Sequence, residues 1–141
     1  DQMICQLEII KRNYNLEQDD DTACDLMLLQ PKDKNIIPRV YSELADIEPL
    51  LGSDVYVVGN PMSMEDVLSD CRLIMQRGSI LYYIGHSYFG NSGGGVYNKE
   101  GKLVGVVSFI MPIQPDKTIP AYVIHGATSL NKIKQFLQDI K

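Results

Sequence analysis

The chain has 141 residues, 45% of them apolar and 22% charged, which suits one folded domain with a continuous core and excludes both a disordered chain and two ordinary domains. Its formal net charge is −5 with no basic patch, which argues against nucleic acid as a partner. No stretch of about 18 apolar residues is present, so no membrane span is expected.

In chain order the sequence reads as short β segments followed by one helix. The opening DQMICQLEII has neither the charged start nor the long apolar run of a signal peptide, and no initiating Met. Residue 1 is therefore expected not to be the translational start. Residues 3–12 suit a strand with a mixed face, and Asn13–Thr22 a polar, acidic loop. Asp25 then heads a short apolar run, DLMLL, bounded by turn signals as a buried strand would be. Residues 31–53, with three prolines and mixed charges, read as an extended connector. Val55 to Pro61 is a strand ending in a turn, residues 62–70 a polar loop, and 71–76 and 79–84 two strands around Arg77 and Gly78.

After a glycine-rich segment, Gly94–Tyr97 and Lys102–Ile110 form two further strands joined through Asn98–Gly101, where the glycine suits a positive φ. A last strand is expected over 119–125. Ser129 can cap a closing helix that carries Leu130, Ile133, Phe136, Leu137 and Ile140 on one face. Cys5, Cys24 and Cys71 are odd in number and lack paired spacing, so reduced thiols, no disulfide framework, no metal site and a cytoplasmic setting are expected.

The chemistry concentrates in Gly90-Asn-Ser-Gly-Gly-Gly95. A serine hydroxyl is a weak nucleophile that needs a base and a place for the oxyanion. Glycines on both sides let the backbone turn tightly and aim N–H groups inward. The whole segment from Gly90 to Ser108 resembles the nucleophile hairpin of the trypsin/chymotrypsin-like serine protease clan, in which G-[DN]-S-G-G-P precedes a strand, a turn and a second strand of the form G-I-x-S. Here Gly105-Val-Val-Ser108 fits that second strand, and Gly95 stands where the clan has proline, which is expected to loosen the backbone. DLMLL resembles the clan's segment for the orienting acid, and Val57 to Pro61 resembles the turn opening the second barrel in HtrA-like, disulfide-free members.

The resemblance implies an all-β, chymotrypsin-like double β-barrel with a C-terminal helix and an incomplete first barrel. Residues 1–30 would be the remainder of that first barrel, 31–53 the connector and 54–141 the second barrel. It implies a serine endopeptidase with Ser92 as nucleophile, Asp25 as orienting acid and the Gly90 and Ser92 amides as oxyanion hole. A polypeptide would be the substrate, and no metal or cofactor would be needed. By the same analogy His86, Ser108, Phe109, Ile110 and Ala121 would line the substrate pocket, with His86 able to donate to an acidic or amide P1 side chain.

One part is missing. The clan's order is His, Asp, Ser, yet none of the 24 residues before Asp25 is histidine; His86 and His125 both follow it. Three readings follow. An upstream segment holds the base, a partner chain supplies it, or the protein is a catalytically inactive binding or scaffold module. The first is expected, because residues 1–30 supply only a fraction of a barrel and would leave sheet edges and apolar faces open.

Overall fold

The computed structural model describes residues 5–15, 23–36, 40–118, 121–138 and 140. Residues 16–22 of the expected acidic loop at 13–22 and the first residues of the expected strands at 3–12 and 119–125 lie outside these. The architecture is almost wholly β. Strands β1 (Leu7–Asn15) and β2 (Cys24–Pro31) form an antiparallel ribbon. Strands β3 (Asp54–Gly59), β4 (Val67–Arg77), β5 (Ile80–Gly85), β6 (Gly95–Tyr97), β7 (Leu103–Ile113) and β8 (Tyr122–Ser129) close into a barrel in the order β3-β4-β5-β8-β7-β6, and helix α1 (Leu130–Gln138) follows.

The barrel closes because its strands alternate. Along β4, Ser69, Cys71 and Leu73 are buried while Leu68, Asp70 and Arg72 face out, and β3 pairs with it from Asp54↔Arg72 to Gly59↔Val67. The inner faces gather Val55, Val57, Leu73, Leu81, Tyr83, Val96, Val104, Val107, Ala127 and Leu130 into one core. Part of the expected loop at 62–70 is therefore strand: β4 begins at Val67, after a single turn of 3-10 helix at Pro61–Ser63. β1 likewise runs through Asn13–Asn15. β8 extends to Ser129, so that Gly126, Ala127 and Thr128 are core residues and His125 lies inside the strand rather than at its end.

Helix α1 fastens the ribbon to the barrel. Ser129 Oγ accepts the Lys132 N–H at 3.4 Å, and Glu48 in the connector accepts the Asn131 N–H at 2.8 Å. Both groups serve amides that have no partner within the helix. Ile133 and Phe136 pack between Cys24 and Leu26 of β2 and Leu103 and Val106 of β7. Lys11 of β1 reaches the Phe136 carbonyl at 2.7 Å and sits 4.8 Å above its ring. The connector lies along the barrel through Ala45 N–H to Leu103 O at 2.9 Å and Leu103 N–H to Glu43 O at 2.8 Å. Phe136→Ala is accordingly expected to cost about 3–5 kcal/mol. Denaturant unfolding would measure this, and a loss below about 1 kcal/mol would show that the ribbon is held by other contacts.

Among the described residues no further strand borders the β1–β2 ribbon. Leu7, Ile9, Ile10, Tyr14, Met27 and Leu29 are all exposed on it. No helix among the described residues is long and apolar enough to cross a membrane.

Candidate active site

The turn between β5 and β6 presents Ser92. Gly90 has φ +104° and Gly93 φ +84°, a region closed to most side chains. A Cβ on Gly90 would lie 2.7 Å from Asn60 O and 3.1 Å from Met62 N, so the turn is seated directly on the bend after β3. Met62 N–H donates to Phe89 O at 2.9 Å across that seam. The Gly93 N–H to Val107 O bond, at 2.8 Å, and the Val107 N–H to Gly94 O bond, at 2.9 Å, tie the other side to β7. Among the described residues neither the Gly90 nor the Ser92 N–H is spent on a hydrogen bond. Two donors are thus available beside an exposed hydroxyl, as oxyanion stabilisation requires.

Ser108 of β7 joins the acid to the nucleophile. Its hydroxyl lies 3.2 Å from Thr128 Oγ1, which accepts the Asp25 N–H at 3.3 Å. Its carbonyl accepts from Ser92 Oγ at 3.5 Å, the outer limit of such a bond. Burial raises the Asp25 carboxyl above the usual carboxylate range, and the nearby Ser108 hydroxyl partly reverses the shift. Residues far apart in sequence, on β2 and on the nucleophile turn, thereby meet across one backbone carbonyl and its side chain.

Comparison with known proteins decides the family. Residues 10–106 match the model of the trypsin-like peptidase domain. The chain belongs to that family. The family's members are hydrolases of the peptide bond, and the fold of this trypsin-like domain has solved counterparts. Two crystal structures of the Rv3671c protease in its inactive form, one of them a serine-to-alanine mutant from M. tuberculosis H37Rv, each superpose with a TM-score of 0.68 at 14% identity over 96% of this chain. The match spans 65% and 67% of those chains, about two thirds of their length. The likeness is one of fold. No curated protein matches the sequence.

The remaining site candidates of this trypsin-like domain separate. Neither histidine bonds to Ser92 or Asp25 among the described contacts. His86 is exposed and pairs through Nδ1 with Asp70 at 3.2 Å, which holds the Asp70 carboxyl below its usual range. It lines a hollow with Asp54, Tyr56, Arg72 and Ile84. Gly85 before it has φ +147° and no room for a Cβ against Asp70 O.

Phe109 packs edge-on to Tyr82 at 6.0 Å, in a cluster with Ala23 and Ile80, and its ring covers Gly126. It remains half-buried. Ile110 lies opposite His125 in the β7–β8 register. Ala121 is exposed immediately before β8. Beyond Val107 the side of β7 away from β8 has no strand partner among the described residues, which leaves an edge next to Ser92.

Gly95 has a reason that the sequence did not show. The Tyr97 ring lies over it, and a Cβ there would meet ring atoms at 2.5–2.6 Å. The residue is tightly covered rather than loose. Restoring the clan's proline with Gly95→Pro is expected to displace Tyr97 and destabilise the domain by about 1–3 kcal/mol, as overpacking does. A thermal melt would check this, and the double variant Gly95→Pro/Tyr97→Ala should recover part of the loss.

Proposed function

We propose that this domain is the acid- and nucleophile-bearing part of a serine endopeptidase that cleaves polypeptides through an acyl-enzyme at Ser92. The observation that carries the reading is that Ser108 accepts from Ser92 Oγ through its carbonyl while Thr128, beside the Ser108 hydroxyl, accepts the Asp25 N–H. It supports an orienting acid and a nucleophile held at one place, beside two unspent N–H donors. In this reading Ser92 Oγ attacks the scissile carbonyl, and a histidine takes its proton and later returns it to the leaving amine. Asp25 orients that histidine, and the Gly90 and Ser92 amides hold the oxyanion.

The histidine comes from a segment upstream of residue 1 or from a partner chain. The ribbon supports this. Among the described residues no further strand borders it, its exposed Leu7, Ile9, Tyr14 and Leu29 are surfaces that further strands would cover, and Asp25 lies on that ribbon. The substrate backbone would add to the free edge of β7 from Ser108 on.

A second reading is an inactive binding module, favoured by the lack of any histidine contact at Ser92. Fluorophosphonate labelling of the full-length protein, with Ser92→Ala as control, separates the two. Labelling lost in the control means an activated Ser92. No labelling would overturn the enzyme reading in favour of the module.

A further inference from the structure

The nucleophile turn distributes its hydrogen bonds unevenly. Asn91 is 2% exposed and held from three sides. Its N–H donates to Tyr88 O at 3.4 Å, its carbonyl accepts the Gly94 N–H at 2.8 Å, and Nδ2 donates to the Oγ of buried Ser87 at 3.0 Å. The residues before and after it, Gly90 and Ser92, keep their N–H groups unspent among the described residues. One fixed residue thus stands between two free donors.

Peptide planarity fixes where those donors point. In a trans peptide the N–H is directed opposite to the carbonyl of the same plane. The Ser92 N–H shares its plane with Asn91 O, which Gly94 holds. The Gly90 N–H shares its plane with Phe89 O, which accepts the Met62 N–H at 2.9 Å. Each donor is therefore aimed by a bond made on its far side, while the donor itself stays open. That is what a group needs if it is to meet a charge that appears only in the transition state.

The end of β3 supports both planes. Met62 meets Phe89 from the left-handed region, at φ +50° and ψ +36°, which a side chain enters only where its surroundings impose it. The bend is closed on itself: Asn60 Oδ1 accepts the Asp66 N–H at 3.0 Å, and Pro61 O accepts the Met64 N–H at 2.9 Å. Gly59 supplies the seat for Asn91. A Cβ on Gly59 would overlap Asn91 Oδ1 and lie 3.1 Å from Asn91 Cγ and 3.3 Å from its Cα. Turning the Asn91 side chain away would break its bond to Ser87 and leave the Cα still crowded, so the turn itself would have to shift.

We infer that Gly59, at the end of β3, is a positioning residue for the oxyanion hole. It acts through Asn91: the space left by its missing side chain seats Asn91, and that seat sets the turn that carries the Gly90 and Ser92 N–H groups. This deepens the peptidase reading and rests on it for the name oxyanion hole, while the seat itself does not require catalysis.

The test is a double-mutant cycle on Gly59→Ala and Asn91→Ala in the full-length protein, read by peptide-cleavage kinetics. Gly59→Ala is expected to lower kcat about 100-fold, as a misplacement of about 1 Å does. KM should stay within about threefold, because the oxyanion exists only in the transition state. Asn91→Ala also lowers kcat, but adding Gly59→Ala to it should cost less than about threefold more, since the side chain that the new methyl displaces is gone. In NMR spectra of Gly59→Ala the amide resonances of Gly90 and Ser92 should shift. A kcat within about threefold of the parent, a loss confined to KM, additive losses in the cycle or unmoved amides would each overturn the inference. Should Gly59→Ala not fold, Ser87→Ala frees the same Asn91 side chain without added bulk. It is expected to lower kcat at constant KM and to shift both amides, and an unaltered kcat there would overturn the inference. A parent protein that neither cleaves peptides nor labels with fluorophosphonate would remove the enzyme. The amide resonances then decide alone: shifted in Gly59→Ala they keep the seat, unmoved they remove it.

Discussion

Asp25→Asn is expected to lower kcat for peptide cleavage by the full-length protein about 10^4-fold, the loss seen when the acid of such a triad is made an amide. The substitution is nearly isosteric. The Asp25 main-chain bond to Thr128 does not involve the side chain. What changes is the group offered to the histidine. A carboxylate accepts the imidazole N–H and fixes the tautomer that leaves the other nitrogen free for Ser92. An amide can present its own N–H instead and fix the wrong one. Folding should be preserved, so unfolding curves and kinetics are to be read together. An unchanged melt with a rate loss under about tenfold would show that Asp25 does not orient the base.

Gly90→Ala is expected to be the next most damaging change, lowering kcat about 100- to 1,000-fold through loss of one oxyanion donor. At φ +104° an alanine is strained, and its methyl would press on Asn60 O and Met62 N. The turn must rotate, and the Gly90 N–H turns with it. The control is Gly101→Ala in the β6–β7 hairpin, at φ +76° with open space around the added methyl. It carries the backbone penalty alone, about 1–2 kcal/mol of stability, and should leave kcat unaltered. Comparable rate losses in both variants would mean that the Gly90 effect is general destabilisation.

Much of this was legible in the sequence, for definite physical reasons. Glycines that flank Ser92 sit where the backbone needs positive φ, and that requirement survives in residue spelling. The periodicity of Leu130, Ile133 and Phe136 likewise writes burial directly into composition, whereas the apolar run after Asp25, expected to be buried, leaves Met27 and Leu29 exposed because no described strand covers that face of the ribbon. The misreadings have the opposite cause. Around Val67–Asp70 the alternation is inverted: Ser69 points into the core and Leu68 into solvent, so polarity reads as loop where the pairing with β3 makes strand. Gly126, Ala127 and Thr128 look like a turn, yet Gly126 lies under the Phe109 ring and Ala127 sits in the barrel core beside Leu81, where only small residues fit.

His125 was expected at the end of the last strand, and the extra length of β8 instead buries it within the barrel. Ser108 was expected to line a pocket. Its contacts with both Asp25 and Ser92 depend on a meeting of β2, β7 and the nucleophile turn that no local pattern encodes. The tyrosine over Gly95 is equally invisible until the hairpin is folded.

The position of helix α1 has a consequence for when the site comes into being. Asp25 and Ser92 lie on a ribbon and a barrel whose shared packing runs through Ile133 and Phe136. That helix follows every other described element in chain order. During synthesis, at about 5–20 residues per second, the nucleophile turn emerges while the residues that clamp the acid beside it are still inside the ribosome. Assembly of the acid–nucleophile pair therefore waits on the synthesis of α1, and a nascent chain stalled before Leu130 would carry both residues without the packing that joins ribbon to barrel.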